Sequence, residues 1–398
     1  MSKLTLKDIS LTEKTVLMRV DFNVPIINGE ITDDNRIVQA LPSINYILDQ
    51  GAKLILCSHL GRPKGAFAAE FSLEPVAQHL STLVSAKVHF AKDCIGREAK
   101  EAIDSASHGE IVVLENVRFH NAETDNDPAF AQALAAHADV FVNDAFGSSH
   151  RAHASVSGVT EFLNPSVSGF LLEKEITYLN DSVNDPKRPF VAILGGAKVS
   201  DKIPVIQRLL TKVDTIIIGG GMAYTFLATK GYSVGNSLLE EDKIPMAKEL
   251  MDQALANGVN LLLPIDLVIA DDFNNDANRK VVDASGILDG WESLDIGPKT
   301  VELFSDVIVQ AKTVLWNGPI GVFEMPNFAV GTQAVAKALV EATEHGATTI
   351  IGGGDSASAI KQAGLSEKVS HVSTGGGASL EYLEGKILPG VSHLSNLN

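Results

Sequence analysis

Cysteine is nearly absent: Cys57 and Cys94 are the only two in 398 residues, and no short paired spacing joins them. A disulfide scaffold is excluded, and a reducing compartment is expected. Long apolar runs are missing too. The stretch 259–270 is broken by Pro264 and Asp266, and no apolar segment follows a basic start. The expectation is a soluble, cytoplasmic chain without a membrane partner. Positive charge is scarce, with 32 Lys and Arg against 49 Asp and Glu and a net charge of −17 shared by both halves. That balance excludes a nucleic-acid module on bulk charge. Two nucleotide signatures are lacking as well. Gly195, Gly196 and Lys198 do not have P-loop spacing, and the glycines at 219 and 221 do not complete G-x-G-x-x-G, so neither a Walker-type nor a NAD-type site is expected.

What is present is a globular composition, 45% apolar and 20% charged, in a chain long enough for two hydrophobic cores. Apolar strand candidates at 15–20, 53–58, 111–114 and 139–142 each run into a polar loop and then a helical pattern. Strand, loop and helix in repetition predict parallel βαβ units, whose ligands gather beyond the carboxyl ends of the strands. Arg62, Arg118 and Arg151 lie in those loops, and Arg36 opens the helix that carries Ile37, Leu41, Ile44, Ile47 and Leu48 up to Gly51. A cation in a first helical turn opposes the dipole, so Arg36 invites a functional reading. Four of the six arginines before residue 180 thus point to a basic pocket for a small polyanion, since guanidinium forks suit carboxylate and phosphate. His59 beside Arg62 suits a ligand contact. His150 and His153 have i, i+3 spacing that a metal could use, but they lack a further partner and read better as hydrogen-bonding loop residues.

An amphipathic helix over 169–183, with Leu172, Ile176 and Leu179 on one face, precedes the linker-like 184–189, the expected domain boundary. The second half restarts with VAILGGAKVSDK, a strand that delivers a glycine pair and Lys198 and Lys202 at i, i+4 spacing to a helix start. Free N–H groups and a positive dipole end favour an anion there. Triple glycines at 219–221, 352–354 and 375–377 follow three more strand candidates. Four such junctions imply that backbone comes close to something, and a flat or phosphorylated ligand is expected.

These motifs together resemble the phosphoglycerate kinase family over essentially the whole chain. The resemblance is carried by VDFNVP (20–25), SHLGRP (58–63), LENVRFH (114–120), SHRAHAS (149–155), GFLLEKE (169–175), GGAKVSDK (195–202), GGGMAYTF (219–226), WNGPIGVFE (316–324), GGGDSAS (352–358) and STGGGAS (373–379). It implies an α/β chain of two Rossmann-like domains with mainly parallel sheets, joined by a hinge helix across an interdomain cleft. Residues 1–168 would bind 3-phosphoglycerate, 169–185 would form the hinge, 186–379 would bind nucleotide, and a tail from about 380 would return to the first domain. It further implies that Asp21, Asn23, Arg36, His59, Arg62, Arg118 and Arg151 hold 3-phosphoglycerate. Lys198, Lys202, Gly219, Gly220, Asn317, Pro319, Glu324, Gly353, Gly354, Asp355 and Ser356 would hold ATP or ADP, with Asp355 attending Mg²⁺ and Glu324 the ribose. Arg36, Lys198, Lys202, Gly353 and Gly376 are expected to serve the transfer itself, in a glycolytic, monomeric phosphotransferase with a carboxyl acceptor. Ser356 stands where many members have Thr, and Ser293 replaces a common Gly at the nucleotide rim. Two alternatives stay open: a different small-carboxylate kinase and a non-catalytic nucleotide-binding protein.

Overall fold

The computed structural model describes residues 3–397, and among them no helix is long and apolar enough to cross a membrane. The chain forms two compact units. One runs to Ile176 and takes in the chain from Ile387 onward; the other is Thr177–Lys386. The division falls inside the helix Phe170–Asn184, earlier than the linker at 184–189.

In the first unit the strands are β1 (Thr15–Arg19), a short hairpin of β2 (Ile26–Ile27) and β3 (Glu30–Ile31), β4 (Lys53–Cys57), β5 (Val88–Ala91), β6 (Ile111–Leu114), β7 (Val140–Asn143) and β8 (Ser166–Ser168). Six of them make one parallel sheet in the order β5-β6-β4-β1-β7-β8. The near-continuous apolar runs of the four central strands β6, β4, β1 and β7 are what a sheet covered on both faces requires. The helix Asn35–Asp49 lays Ile37, Ala40, Ile44 and Ile47 onto that core, while Leu41 and Leu48 are only half-buried. Its start is organised by Asp33, whose Oδ1 accepts the Asn35 N–H at 3.0 Å. The helix Glu74–Leu83 is seated by Glu115 at the end of β6, which accepts the Leu73 N–H at 2.8 Å and the Ser72 hydroxyl at 2.7 Å. The returning chain is fastened by Ser395 N–H to the Ser166 carbonyl (2.8 Å), Gly390 N–H to the Ser149 carbonyl (2.9 Å) and Asn143 Nδ2 to the Gly390 carbonyl (2.7 Å).

The second unit contains β9 (Phe190–Leu194), β10 (Thr215–Ile218), β11 (Asn260–Leu262), β12 (Asp266–Ala270), β13 (Arg279–Asp283), β14 (Glu292–Ile296), β15 (Thr313–Asn317), β16 (Thr348–Gly352) and β17 (His371–Val372). Its parallel sheet has the order β11-β10-β9-β15-β16-β17, and β13-β12-β14 form a separate antiparallel sheet. Three-strand antiparallel pairing is absent from the sequence reading, because β13 is exposed along most of its length and carries no apolar run. The two sheets that dominate the molecule are wholly parallel, as the βα rhythm predicts. In the second unit's parallel sheet the strand order reverses between β9 and β15, and loops flanking such a reversal open a crevice at the carboxyl ends.

Candidate functional site

Register brings the first unit's polar loops together. Arg19, the last residue of β1, pairs with Cys57 of β4 on one side and Asn143 of β7 on the other, so three carboxyl-end loops leave the sheet side by side. Asp21 and Asn23 follow β1, His59 and Arg62 follow β4, Arg118 follows β6, and Arg151 follows β7. Asp21 Oδ1 lies 2.8 Å from Arg36 Nη1 and 4.0 Å from His59 Nδ1. Asn23 Oδ1 accepts the Gly61 N–H at 2.9 Å, and Arg118 Nη1 donates to the Gly61 carbonyl at 2.8 Å. Gly61 has φ +60°, and a Cβ there would meet the Phe71 ring at 2.3 Å, so the loop that presents Arg62 depends on glycine.

The electrostatics are those of an anion site. Arg62, Arg118 and Arg151 line a pocket of about 290 Å³ together with Lys64, His120, Asn121 and Thr124. Burial, then the Arg19 and Arg151 charges, push the Arg118 guanidinium down to about 10, and its buried Nε has no hydrogen-bond partner. Crowded cations with a spare donor are stabilised by an arriving anion. His59 is buried and held neutral, its pKa driven well below the ordinary value by burial and then by Arg19, Arg118, Arg36 and Arg151. Its Nδ1 stands 3.2 Å from Arg19 Nη2, so that nitrogen is assigned as acceptor and Nε2 carries the proton.

Arg19 is the residue that sequence reasoning missed. It is fully buried, donating from Nε to Ser155 Oγ at 2.8 Å and from Nη1 to the Val20 carbonyl. Ser155 in turn gives its hydroxyl (2.7 Å) and backbone N–H (2.8 Å) to Glu123, which is also fully buried. The available signal was a cation closing an otherwise apolar strand, an expensive placement unless partners are waiting. His153 lies 3.7 Å from Glu123 Oε1, and burial followed by the surrounding arginines lowers its pKa to about 4.

In the second unit β15 pairs with both β9 and β16, setting Asn317 opposite Leu194 and Gly352. The loops 195–202, 317–320 and 352–356 therefore adjoin. Lys202 Nζ bonds Asn317 Oδ1, burial lowers the ammonium pKa, and the buried Asn317 Nδ2 is left without a partner. The helix that follows the two lysines begins only at Ile203, with Pro204 in its first turn. Lys198 and Lys202 consequently belong to the loop ahead of it, and Lys198 is exposed.

The glycines divide into two kinds. A Cβ on Gly195 would meet the Pro319 carbonyl oxygen at 2.1 Å, one on Gly220 would meet Gly196 N at 2.7 Å, and one on Gly219 would meet Ile320 at 2.5 Å. At these three the close neighbour is the protein itself, which corrects the reading of every glycine junction as a ligand approach. Gly196, Gly354 and Gly376 face open space. Gly353 (φ +87°) precedes the helix Gly354–Gln362, and Gly376 (φ +48°) precedes the helix Gly377–Leu383. Asp355 is exposed in the first turn of the former, whereas Ser356 is buried and its hydroxyl accepts the Gly318 N–H at 2.6 Å. The Ser356 hydroxyl is therefore engaged within the protein. Pro319 is half-buried and Glu324 exposed.

The phosphoglycerate kinase family model matches residues 6–386. The chain is 56% identical to phosphoglycerate kinase of Chloroherpeton thalassium over 396 residues, covering 100% of both chains, and 56% identical to that of Moorella thermoacetica over 395 residues, covering 99% of this chain and 100% of the relative. The chain belongs to the phosphoglycerate kinase family. Solved phosphoglycerate kinase structures agree: that from Coxiella burnetii superposes with TM-score 0.89 at 40% identity, and that from Pyrococcus horikoshii with 0.84 at 31%, each covering 98% of both chains. Against the phosphoglycerate kinase pattern, Ser293 is a buried residue of β14 rather than an open rim position. Its N–H binds Ser237 Oγ at 2.9 Å, its carbonyl accepts the Tyr224 hydroxyl at 2.8 Å, and its own hydroxyl has no partner.

Proposed function

We propose that the chain transfers the acyl phosphoryl group of 1,3-bisphosphoglycerate to ADP, reversibly, giving 3-phosphoglycerate and ATP in glycolysis. The observation that carries this reading is the cluster of Arg62, Arg118 and Arg151 around one pocket in a protein of net charge −17, with Arg36 held on Asp21. Asp21, Asn23 and His59 orient that set, and Arg36, Arg62, Arg118 and Arg151 bind the phosphoglycerate. Lys198, Lys202, Asn317, Pro319, Glu324 and the backbone of Gly219, Gly220, Gly353, Gly354, Asp355 and Ser356 serve the nucleotide.

An acyl phosphate is already activated, so no covalent nucleophile is needed. The chain aligns the two oxygens and neutralises charge on a loose, metaphosphate-like transition state. Arg36, Lys198 and Lys202 supply cations, while the N–H groups beyond Gly353 and Gly376 supply oriented dipoles. Asp355 suits Mg²⁺, which keeps most of its waters and takes one or two carboxylates plus phosphate oxygens; Gly354 beside it is open. When bound, Mg²⁺ neutralises the nucleotide phosphates. The substrates are assigned to different units, so transfer calls for a motion that unites them and expels water, with the helix Phe170–Asn184 as hinge. We place the chain in the cytoplasm as a monomer.

The test is a coupled assay for ATP-dependent consumption of 3-phosphoglycerate with Mg²⁺, with acetate and aspartate as competing acceptors. Turnover confined to 3-phosphoglycerate is expected. Equal turnover with acetate would favour a different carboxylate kinase, and no turnover with any acceptor would leave a nucleotide-binding protein.

A further inference from the structure

Cys57 and Cys94 lack metal spacing in sequence, but the sheet gives one of them different company. β5 and β6 are parallel neighbours with Ala91 opposite Leu114, so the segments beyond their carboxyl ends run side by side. The first carries Asp93 and Cys94 and the second leads to His120. Asp93 Oδ1 lies 2.7 Å from His120 Nε2 and accepts the Cys94 N–H at 2.7 Å. One ligand atom from each of Asp93, Cys94 and His120 lies within 4.8 Å of the other two, the only such trio among the described residues. Phe130 steadies the imidazole, its ring centroid 5.3 Å from that of His120.

We propose that Asp93, Cys94 and His120 form a site for a borderline divalent cation of the zinc class, joined to the arginine pocket through His120. One sulfur, one nitrogen and one oxygen make a donor set that Mg²⁺ and Ca²⁺ do not favour and that Zn²⁺ or Co²⁺ does. Tetrahedral coordination at ordinary zinc bond lengths separates ligand atoms by about 3.3–3.6 Å. The Asp93–His120 pair must open by several tenths of an ångström, and the thiol, which lies within 4.8 Å of both, must close to that spacing by side-chain rotation. On binding, the Cys94 thiol becomes a thiolate and its proton leaves to solvent. Asp93 and His120 are 40% and 31% exposed, so the ion has a path in from solvent. Cys94 is only 2% exposed and shields the other side. Because His120 also lines the pocket of Arg62, Arg118 and Arg151, an ion held there adds positive charge beside the anion site and fixes one of its walls.

The experiment uses the intact, metal-free protein with Zn²⁺ or Co²⁺ alone, since nucleotide would chelate either. Equilibrium dialysis should find one Zn²⁺ retained per chain, and Co²⁺ should develop a thiolate charge-transfer band. Cys57→Ser should keep that band and Cys94→Ser should lose it. Cys94 is buried, so Asp93→Asn and His120→Asn provide the parallel test at half-exposed positions. Each should weaken Zn²⁺ binding at least roughly tenfold, the smallest cost of losing even an outer partner of a metal ligand, without lowering the unfolding temperature of the metal-free protein. No Zn²⁺ retained by the unaltered protein, or an unchanged band and affinity in Cys94→Ser or His120→Asn, would overturn the site.

Discussion

At the scale of single residues, the proposed transfer separates the arginines and lysines into those assigned to hold substrate and those assigned to meet the migrating group. Arg36→Ala and Lys202→Ala each remove a charge that the proposed mechanism assigns to the transition state, and each should lower kcat by about 10²–10³-fold, the usual cost of one such donor. Steady-state kinetics in both directions checks this, and near-normal turnover in either variant would remove that residue from the transfer step. Arg62→Ala and Arg118→Ala should act mainly on the KM for phosphoglycerate. Arg19 belongs to neither class. It touches His59, Ser155 and the Val20 carbonyl from a fully buried position, so Arg19→Leu should destabilise the fold by about 3 kcal/mol by leaving those buried partners unpaired and loosening Ser155, on which Glu123 rests. Urea denaturation of the variant measures it, and a loss well under 1 kcal/mol would contradict the role assigned to Arg19.

At the scale of elements, the glycine junctions make opposite predictions. Gly195→Ala drives a Cβ into the Pro319 carbonyl, and should cost on the order of 1–3 kcal/mol, as overpacking does. Gly354→Ala meets nothing within 4 Å and has no strained backbone, so its stability should be unchanged while the KM for nucleotide rises. Equal unfolding midpoints for the two variants would refute this division. A pH effect arises where β14 meets the helix Val330–Glu344. Asp295 is buried there, accepting the Gly331 and Ile296 N–H groups at 2.9 Å, yet burial dominates and pushes its carboxyl up to about 7. An unfolded Asp releases its proton near 3.9, so between that pH and about 7 the native state binds more protons and this residue makes stability fall as pH rises. Asp295→Asn should flatten that decline when urea midpoints are compared from pH 4 to pH 8. Asp144, also raised to about 7 by burial, accepts the Leu172 N–H at 3.0 Å near the start of the helix Phe170–Asn184 and adds a slope of the same sign. His153, lowered to about 4, opposes them, because the unfolded chain takes up its proton first as pH falls through 6.5.

At the scale of the whole molecule, a net charge of −17 surrounds a pocket walled by arginine. The acidic surface repels a triply charged phosphoglycerate at long range, and on the proposed reading the pocket attracts it at short range. Salt screens exposed and distant charges first, with a Debye length of about 8 Å at physiological ionic strength. The direct guanidinium contacts also weaken in salt, and we expect them to dominate, so the KM for phosphoglycerate should rise across 0.01–0.3 M KCl. Measuring KM across that series decides it, and a KM that falls would show the surface field to be the stronger influence.

Much of this was legible in the amino-acid order. Apolar runs ending in polar loops gave β1, β4, β6 and β7 to within a residue, because a buried strand must be apolar on both faces whatever surrounds it, whereas β5, β8 and β11 were missed because they are short and either polar or incompletely buried. The placement of Arg62, Arg118 and Arg151 after such strands was likewise local information. Other features were decided only by tertiary structure. Arg19 reads as a strand-end cation until Ser155 and His59, distant in sequence, are brought to it. Gly195 and Gly220 read as ligand turns until the 317–320 loop fills the space beside them. Cys94 reads as an isolated thiol until β5 and β6 pair and His120 arrives. The physical reason is common to all three: periodicity and turn chemistry report on neighbours along the chain, whereas a buried charge, a backbone contact and a metal-ligand set depend on atoms delivered by a different strand.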